Sequence, residues 1–254
     1  MIPYFDVRYN YVEPFFGGGA VFCYLMDNYK FLKVKINDTN KELMGIYRSI
    51  RDNPTDFIKE AQRYQNEFLV LSGWPRKLMF QELKRQYWAN QSSPLLYFLM
   101  LISFNGIWAT SRASNGLFSG SFGNPRLEIK NFVDAENLYQ WAKALERVEI
   151  TTVDFEELII PKNSLVYCDP PYINSNVSYG SVFSLEDQKR CFRWARKISQ
   201  EGSYVLLSNK TDGVFFEKMV QGDKEFIKYL DCWHSSNRGL RKATELLILF
   251  YPGE

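Results

Sequence analysis

SLVYCDPPY, Ser164 to Tyr172, decides how this chain is read. Five residues of buried-strand character, Ser164 to Cys168, run straight into Asp169-Pro170-Pro171-Tyr172. Prolines cannot continue a β-ladder, because they lack the N–H donor and fix φ, so the backbone leaves the strand in a rigid extended exit. Rigidity there holds the Asp169 carboxylate and the Pro170 carbonyl as two fixed acceptors, with the flat face of Tyr172 beside them. The trio suits a planar group carrying an NH2: two acceptors for its two protons and an aromatic to sandwich its ring. A turn with a capping Asp is the structural alternative. It accounts for an isolated DP or PP better than for the whole tetrapeptide at a buried strand's end.

Working outward, further strands are expected at Tyr9 to Val12, Phe31 to Ile36, Val148 to Val153, Tyr204 to Ser208 and Glu245 to Tyr251. Helices are expected between them, at Ala20 to Tyr29, Asn40 to Arg51 and Leu185 to Gln200. Strands alternating with helices imply an α/β fold: a Rossmann-like, largely parallel sheet with helices on both faces. Residues 1–55 and 135–254 supply this sheet domain, and 56–134 read as an inserted, mostly helical subdomain that turns polar and glycine-rich from Ser111 to Pro125.

Ligands of such sheets bind at the carboxyl ends of the strands. The first strand runs into Glu13-Pro14-Phe15-Phe16-Gly17-Gly18-Gly19. Glycines between a strand and a helix let the backbone approach a ligand closely. The run has neither the GxGxxG of dinucleotide enzymes nor the GK[ST] of a P-loop, and a plain tight turn explains it about equally well. Asp38 ends the next strand, nineteen residues past Gly19, where an acid accepts hydrogen bonds from a ribose diol or caps the following helix. Asp154 with Phe155 ends a third strand, placed either to clasp an adenine ring or to cap the turn before Glu156.

The 254 residues carry a formal charge of +2, 46% apolar and 24% charged residues, which is globular composition and excludes disorder. Near-neutrality argues against coating nucleic acid or anionic membrane by bulk charge, while leaving room for a local basic groove. Four dispersed cysteines and one histidine suggest no zinc site, disulfide framework or other metal centre. With no secretory signal, and no apolar run longer than Leu95 to Phe104, the expectation is a reducing, cytoplasmic setting with no membrane partner. The 17% aromatic content reads mainly as core.

At this point the chain resembles the Dam-like, D12 class DNA adenine methyltransferases. The resemblance rests on YVEPFFGGGAVF (Tyr11 to Phe22), IND (Ile36 to Asp38) and CDPPY (Cys168 to Tyr172). FNG (Phe104 to Gly106), GSFG (Gly120 to Gly123), LLSN (Leu206 to Asn209) and the final SSNRGLRKATELLILFYPG (Ser235 to Gly253) follow in the family's order. The resemblance implies S-adenosylmethionine as cofactor, with Pro14, Phe15, Phe16, Gly17, Gly18 and Gly19 lining its methionine end. Asp38 would hold its ribose, Asp154 and Phe155 its adenine, and Asp169 would border it. It implies site-specific N6 methylation of an adenine flipped out of double-stranded DNA and stacked on Tyr172. Asp169, Pro170, Pro171 and Tyr172 form the catalytic set, acting through proximity and preorganised acceptors. The insertion takes the place of a target-recognition subdomain. DNA contacts are expected from Arg112, Asn115 and Arg126, and from Asn237, Arg238, Arg241 and Lys242 in a loop before the last strand; Arg76, Lys77, Lys84 and Arg85 are further insert cations.

Two departures matter. The family's NGLxR reads NGIWATSRASN here, so the target sequence does not transfer. Similar enzymes also place a KWxGGK-type segment ahead of the first strand, whereas this chain begins twelve residues before Glu13. Three alternatives stay open: a start further upstream, a second subunit covering the cofactor site, or an open pocket. A monomer or weak dimer is expected. Beside the enzyme stand a catalytically weak DNA-binding or regulatory relative and an RNA or protein methyltransferase of the same fold.

Overall fold

The computed structural model describes residues 8–123, 131–172, 183–210, 215–220, 224–236 and 239–252; side chains are described for all of these but 232–236, 239–241 and 243. It divides into two compact units, Met1–Thr39 with Val148–Ser175 and Phe183–Glu254, and Asn40–Arg147 with Asn176–Val182.

The first unit is a seven-stranded sheet built from β1 (Asn10–Glu13), β2 (Val34–Asn37), β3 (Val148–Thr151), β4 (Ser164–Cys168), β5 (Tyr204–Lys210), β6 (Glu225–Ser236) and β7 (Gly239–Phe250). Its order is β3-β2-β1-β4-β5-β7-β6. β1 to β5 run parallel, and β7 lies antiparallel to both β5 and β6. The chain enters at the centre and leaves in two directions, so β1 and β4 are neighbours and their carboxyl ends meet at a topological switch point. Between the strands lie α1 (Ala20–Asn28) and α7 (Leu185–Gln200). α7 starts at a capping box in which Ser184 and Asp187 bond each other's backbone N–H, and it buries Gln188, Cys191, Phe192, Ala195 and Ser199 along one stripe. That stripe meets Val166, Val205, Leu207, Ile248 and Phe250 in the core.

One strand was not expected. β6 carries Lys228 and Asp231 among its apolar residues, a pattern typical of a sheet edge, and it forms a long hairpin with β7. The expected loop from Ser235 to Lys242 is therefore hairpin: Ser235 and Ser236 end β6, Gly239 to Lys242 begin β7, and Asn237 and Arg238 lie outside the described residues.

The second unit is helical: α2 (Lys41–Asp52), α3 (Pro54–Leu69), α4 (Trp74–Asn90), α5 (Ser93–Leu101) and α6 (Ala135–Leu145). Side chains of Asn40, Asn53, Ser92 and Asp134 accept the first free N–H groups of α2, α3, α5 and α6. Its boundaries, Asn40–Arg147, are wider than the 56–134 expected. The reason is that Ile46 and Ile50 of α2 and Leu138 of α6 are buried among Phe57, Phe68, Phe98 and Leu99 of the helical core. Many of the described aromatics serve such cores. The FNG and GSFG stretches interlock: a Cβ at Gly123 would sit 2.5 Å from the Ser103 carbonyl oxygen, so only glycine fits beside the Ser103–Phe122 bridge. Among the described residues no helix is long and apolar enough to cross a membrane.

Candidate active site

The expected acids and the glycine turn lie at the carboxyl ends of β1, β2, β3 and β4, in the sheet unit. The turn after β1 is shaped by backbone bonds. Phe16 N–H donates to the Asn37 carbonyl and Gly19 N–H to the Phe16 carbonyl, both at 2.9 Å. Gly17 and Gly19 take φ of 47° and 69°, the left-handed region that favours glycine. Gly17 N–H donates to Asp38 Oδ2 at 3.0 Å, which fixes the expected ribose acid against the turn. A Cβ on Gly17 or Gly18 would meet nothing within 4 Å, so open space lies over this turn. Pro14 and Phe16 are buried beneath it, and Phe15 packs on Phe155 and Phe183.

Asn37 holds the candidate site together, and the sequence reading passed over it. It is fully buried, and its Nδ2 donates to the carbonyls of Pro14 and Val153, both at 3.0 Å. Its Oδ1 accepts from Thr151 Oγ1 at 2.8 Å and from Val153 N–H at 3.0 Å. One amide thus ties the ends of three neighbouring strands. Its position inside IND was the available signal.

Of its two expected readings, Asp154 shows the cap. Asp154 Oδ1 accepts from Glu156 N–H at 3.0 Å and from Arg190 Nη2 at 2.9 Å, so it caps the short 3-10 turn Phe155–Glu157 and sits in an ion pair. Arg190 also binds Asp187 and Glu156 and lies over the Phe155 ring at 5.0 Å. Phe155 is buried between Phe15 and Trp194, so its ring belongs to the core.

The Asp169–Tyr172 exit is held tightly. Tyr172 Oη lies 3.0 Å from Ser208 Oγ on β5, and the Lys210 ammonium stands 6.0 Å from the ring centroid. Gln188 Nε2 donates to the Pro171 carbonyl at 2.7 Å, and Asn209 Nδ2 donates to Gln188 Oε1 at 2.9 Å. Asp169 itself reaches solvent, yet enough protein surrounds it that desolvation raises its pKa above the ordinary carboxylate value. Glu245 adds to the rise, while the Tyr172 and Ser208 hydroxyls oppose it. Beside it Glu13 is buried, accepts the Tyr11 hydroxyl at 2.6 Å, and is pushed up to about 8 by burial, with Asp169 contributing.

Of the expected DNA contacts, Arg112 and Asn115 are exposed on a 3-10 turn of the helical unit framed by a Ser111–Ser114 capping box. Arg126 lies outside the described residues, and Arg241 is described only in its backbone. Lys242 is exposed but paired with Asp231 at 2.8 Å, so much of its charge is already answered. Two insert cations are structural. Arg76 is buried over Phe68 and donates to the Leu71 carbonyl, and Lys84 donates to the Gly120 carbonyl between the Phe80 and Trp88 rings. No cluster of three or more His, Cys, Asp or Glu able to hold a metal occurs among the described residues.

A family model described as D12 class N6 adenine-specific DNA methyltransferase matches residues 1–234. The chain is 32% identical over 230 residues to the type II methyltransferase M.MjaIII of Methanocaldococcus jannaschii, covering 84% of this chain and 78% of that one. It is 29% identical over 261 residues to the type II methyltransferase M1.LlaDCHI of Lactococcus lactis subsp. cremoris, covering 96% and 87%. With a DNA adenine methylase of Vibrio cholerae it shares 27% identity over 257 residues, covering 95% and 87%.

Proposed function

We infer that this chain, which belongs to the D12 class N6 adenine-specific DNA methyltransferases, acts on an adenine rotated out of double-stranded DNA, with Asp169 and the Pro170 carbonyl accepting hydrogen bonds from its N6 amino group. The enzyme is S-adenosylmethionine-dependent. The observation that carries the residue assignment is the anchored exit of β4: Tyr172 tied to Ser208 at 3.0 Å and Pro171 to Gln188 at 2.7 Å, with a raised Asp169 between β1 and β5.

The residues present fit the cofactor. Open space over Gly17 and Gly18 leaves room for a ligand against bare backbone, and Asp38 stands at the turn as acceptor for a diol. Asp169 and Glu245 make the neighbourhood acidic, matching a cation. When bound, S-adenosylmethionine supplies an electrophilic methyl on a positively charged sulfur.

This chain's own residues prepare the acceptor. Adenine N6 is a poor nucleophile because its lone pair is delocalised into the ring. Two acceptors engaging its two N–H bonds draw the nitrogen towards a tetrahedral shape and free that pair. The excess proton passes to Asp169, whose raised pKa makes it the better base. Tyr172 stacks the base, and because N6 is out of reach inside a duplex, the adenine is flipped. The helical unit Asn40–Arg147 selects the site, with Arg112 and Asn115 as its exposed polar contacts.

Asp169→Asn keeps the shape but points a donor at the amino group. Turnover of labelled methyl donor on unmethylated duplex DNA should fall by roughly a hundredfold to a thousandfold, with DNA affinity unchanged. Retained turnover refutes the assignment. Single-stranded DNA, RNA and protein offered in parallel should take up less label than the duplex.

A further inference from the structure

The amides holding the β4 exit form a directed chain. Lys210 N–H donates to Asn209 Oδ1 at 2.9 Å, Asn209 Nδ2 donates to Gln188 Oε1 at 2.9 Å, and Gln188 Nε2 donates to the Pro171 carbonyl at 2.7 Å. Both side chains are fully buried, on α7 and β5. Burying two primary amides is costly unless every bond is made, and neither completes a helix cap or a ladder. Gln188 occupies a stripe otherwise given to Cys191, Phe192 and Ala195, where an apolar residue would pack without that cost. What the relay achieves is a fixed orientation for the Pro171 carbonyl.

We propose that Gln188, backed by Asn209, is a positioning residue for methyl transfer: by occupying the Pro171 carbonyl it fixes the rotation of the Pro170–Pro171 segment, and so aims the Pro170 carbonyl at the adenine amino group. Consecutive carbonyls of an extended backbone face opposite sides, so anchoring one orients its neighbour. Both prolines lack an N–H, which leaves the carbonyls as the only main-chain handles on this segment. The proposal rests on the reading of Asp169 and Pro170 as the acceptor pair.

Gln188→Glu tests it. An ionised Glu still accepts from Asn209 but cannot donate to Pro171. A protonated Glu carries donor and acceptor where Gln has them. At about pH 8 kcat on unmethylated duplex DNA should fall roughly tenfold to a hundredfold, the scale of a misplaced reacting group. KM for DNA and the affinity for S-adenosylmethionine should hold. As pH is lowered the variant should recover towards wild type, while the wild-type rate itself declines as Asp169 takes up its proton. Gln188→Leu, which removes both bonds, should lose rate at every pH without recovery. All rates are read well below each variant's melting midpoint, where a role in stability alone leaves kcat untouched. Unchanged kcat for Gln188→Glu at about pH 8, a loss that does not respond to pH, or wild-type kcat in Gln188→Leu, where no new charge acts on Asp169, overturns the proposal. The two readings separate cleanly: if Asp169→Asn still turns over, the acceptor pair is wrong. If Asp169→Asn is dead while Gln188→Glu is fully active at every pH, only the positioning role falls.

Discussion

Replacing Glu13 with Gln removes one proton-binding group from the end of β1 and changes little else. Glu13 is 3% exposed, and burial raises its carboxyl from an ordinary 4.5 to about 8, with Asp169 adding to the rise and the Tyr11 hydroxyl opposing it. Because the folded value lies above the unfolded one, the folded chain keeps a proton that the unfolded chain gives up. The stability tied to that proton is complete below about pH 4.5, drains away as pH rises, and is gone above about pH 8. At ~1.4 kcal/mol per pKa unit, that gap sets a ceiling of roughly 5 kcal/mol. Gln retains the shape and an acceptor for Tyr11, at 2.6 Å in the wild type, but has no proton to lose. Glu13→Gln should therefore match wild type within about 1 kcal/mol at the acidic end and exceed it by several kcal/mol near pH 9. The assay is urea unfolding followed by circular dichroism across that range at fixed ionic strength. Groups that titrate alike in both proteins cancel in the difference. Tyr11→Phe provides an internal control. It deletes the donor that holds Glu13 down, so the loss of stability should begin at the same pH but continue to higher pH and grow larger. A wild-type-minus-variant difference that stays flat with pH refutes the reasoning.

Gly18→Ala should leave the melting temperature unchanged, since its Cβ meets nothing within 4 Å and its φ is not positive. By filling the space over the turn it should weaken S-adenosylmethionine binding about tenfold or more by calorimetry, ~1.4 kcal/mol; equal affinity would place the cofactor elsewhere. Arg112→Ala should lower the slope of log affinity against log salt for duplex DNA by about one. Lys242→Ala should lower it less, because Asp231 already pairs with that ammonium at 2.8 Å. Equal slopes in both variants and wild type would remove Arg112 from the DNA surface.

Much of the candidate site was legible because its residues break the periodicity around them. Asp169-Pro170-Pro171-Tyr172 and Gly17-Gly18-Gly19 interrupt strand patterns, and the interruption is where ligands meet an open sheet. Helix α7 was read at its observed limits, since Ser184 and the apolar stripe of Cys191, Phe192 and Ala195 mark its start and its face. Partners are harder to read than elements. The amphipathic helices α2 and α6 declare an apolar face without saying what covers it, so the helical unit was drawn too narrowly. β6 escaped for a related reason: as an edge strand it buries little, and its mixed residues carry no clear alternation. Asp154 and Phe155 were open to two readings, a clasp for a base or a cap. The hydrogen bonds show the cap, and Arg190, distant in sequence, is a partner that the local sequence does not reveal.

Gln188, Asn209 and Asn37 were not read as site residues, although Asn37 lies in IND and Asn209 in LLSN, for one shared reason, and it explains why amides stand there. Each bridges backbone or side-chain groups between elements that are far apart in sequence, so nothing local to it signals the partner. Such a bridge must both donate and accept inside the protein. Asn and Gln do so without charge, whereas a buried acid or base would add its field to the site. That matters here because Asp169 is already raised by desolvation and by Glu245, and Glu13 by burial and by Asp169. A further carboxylate at position 188 or 37 would push Asp169 towards its protonated form and cost it the acceptor role. An ammonium would pull it down and weaken it as a base. Neutral amides hold the strand ends in place while leaving the carboxylates' balance to burial and to one another.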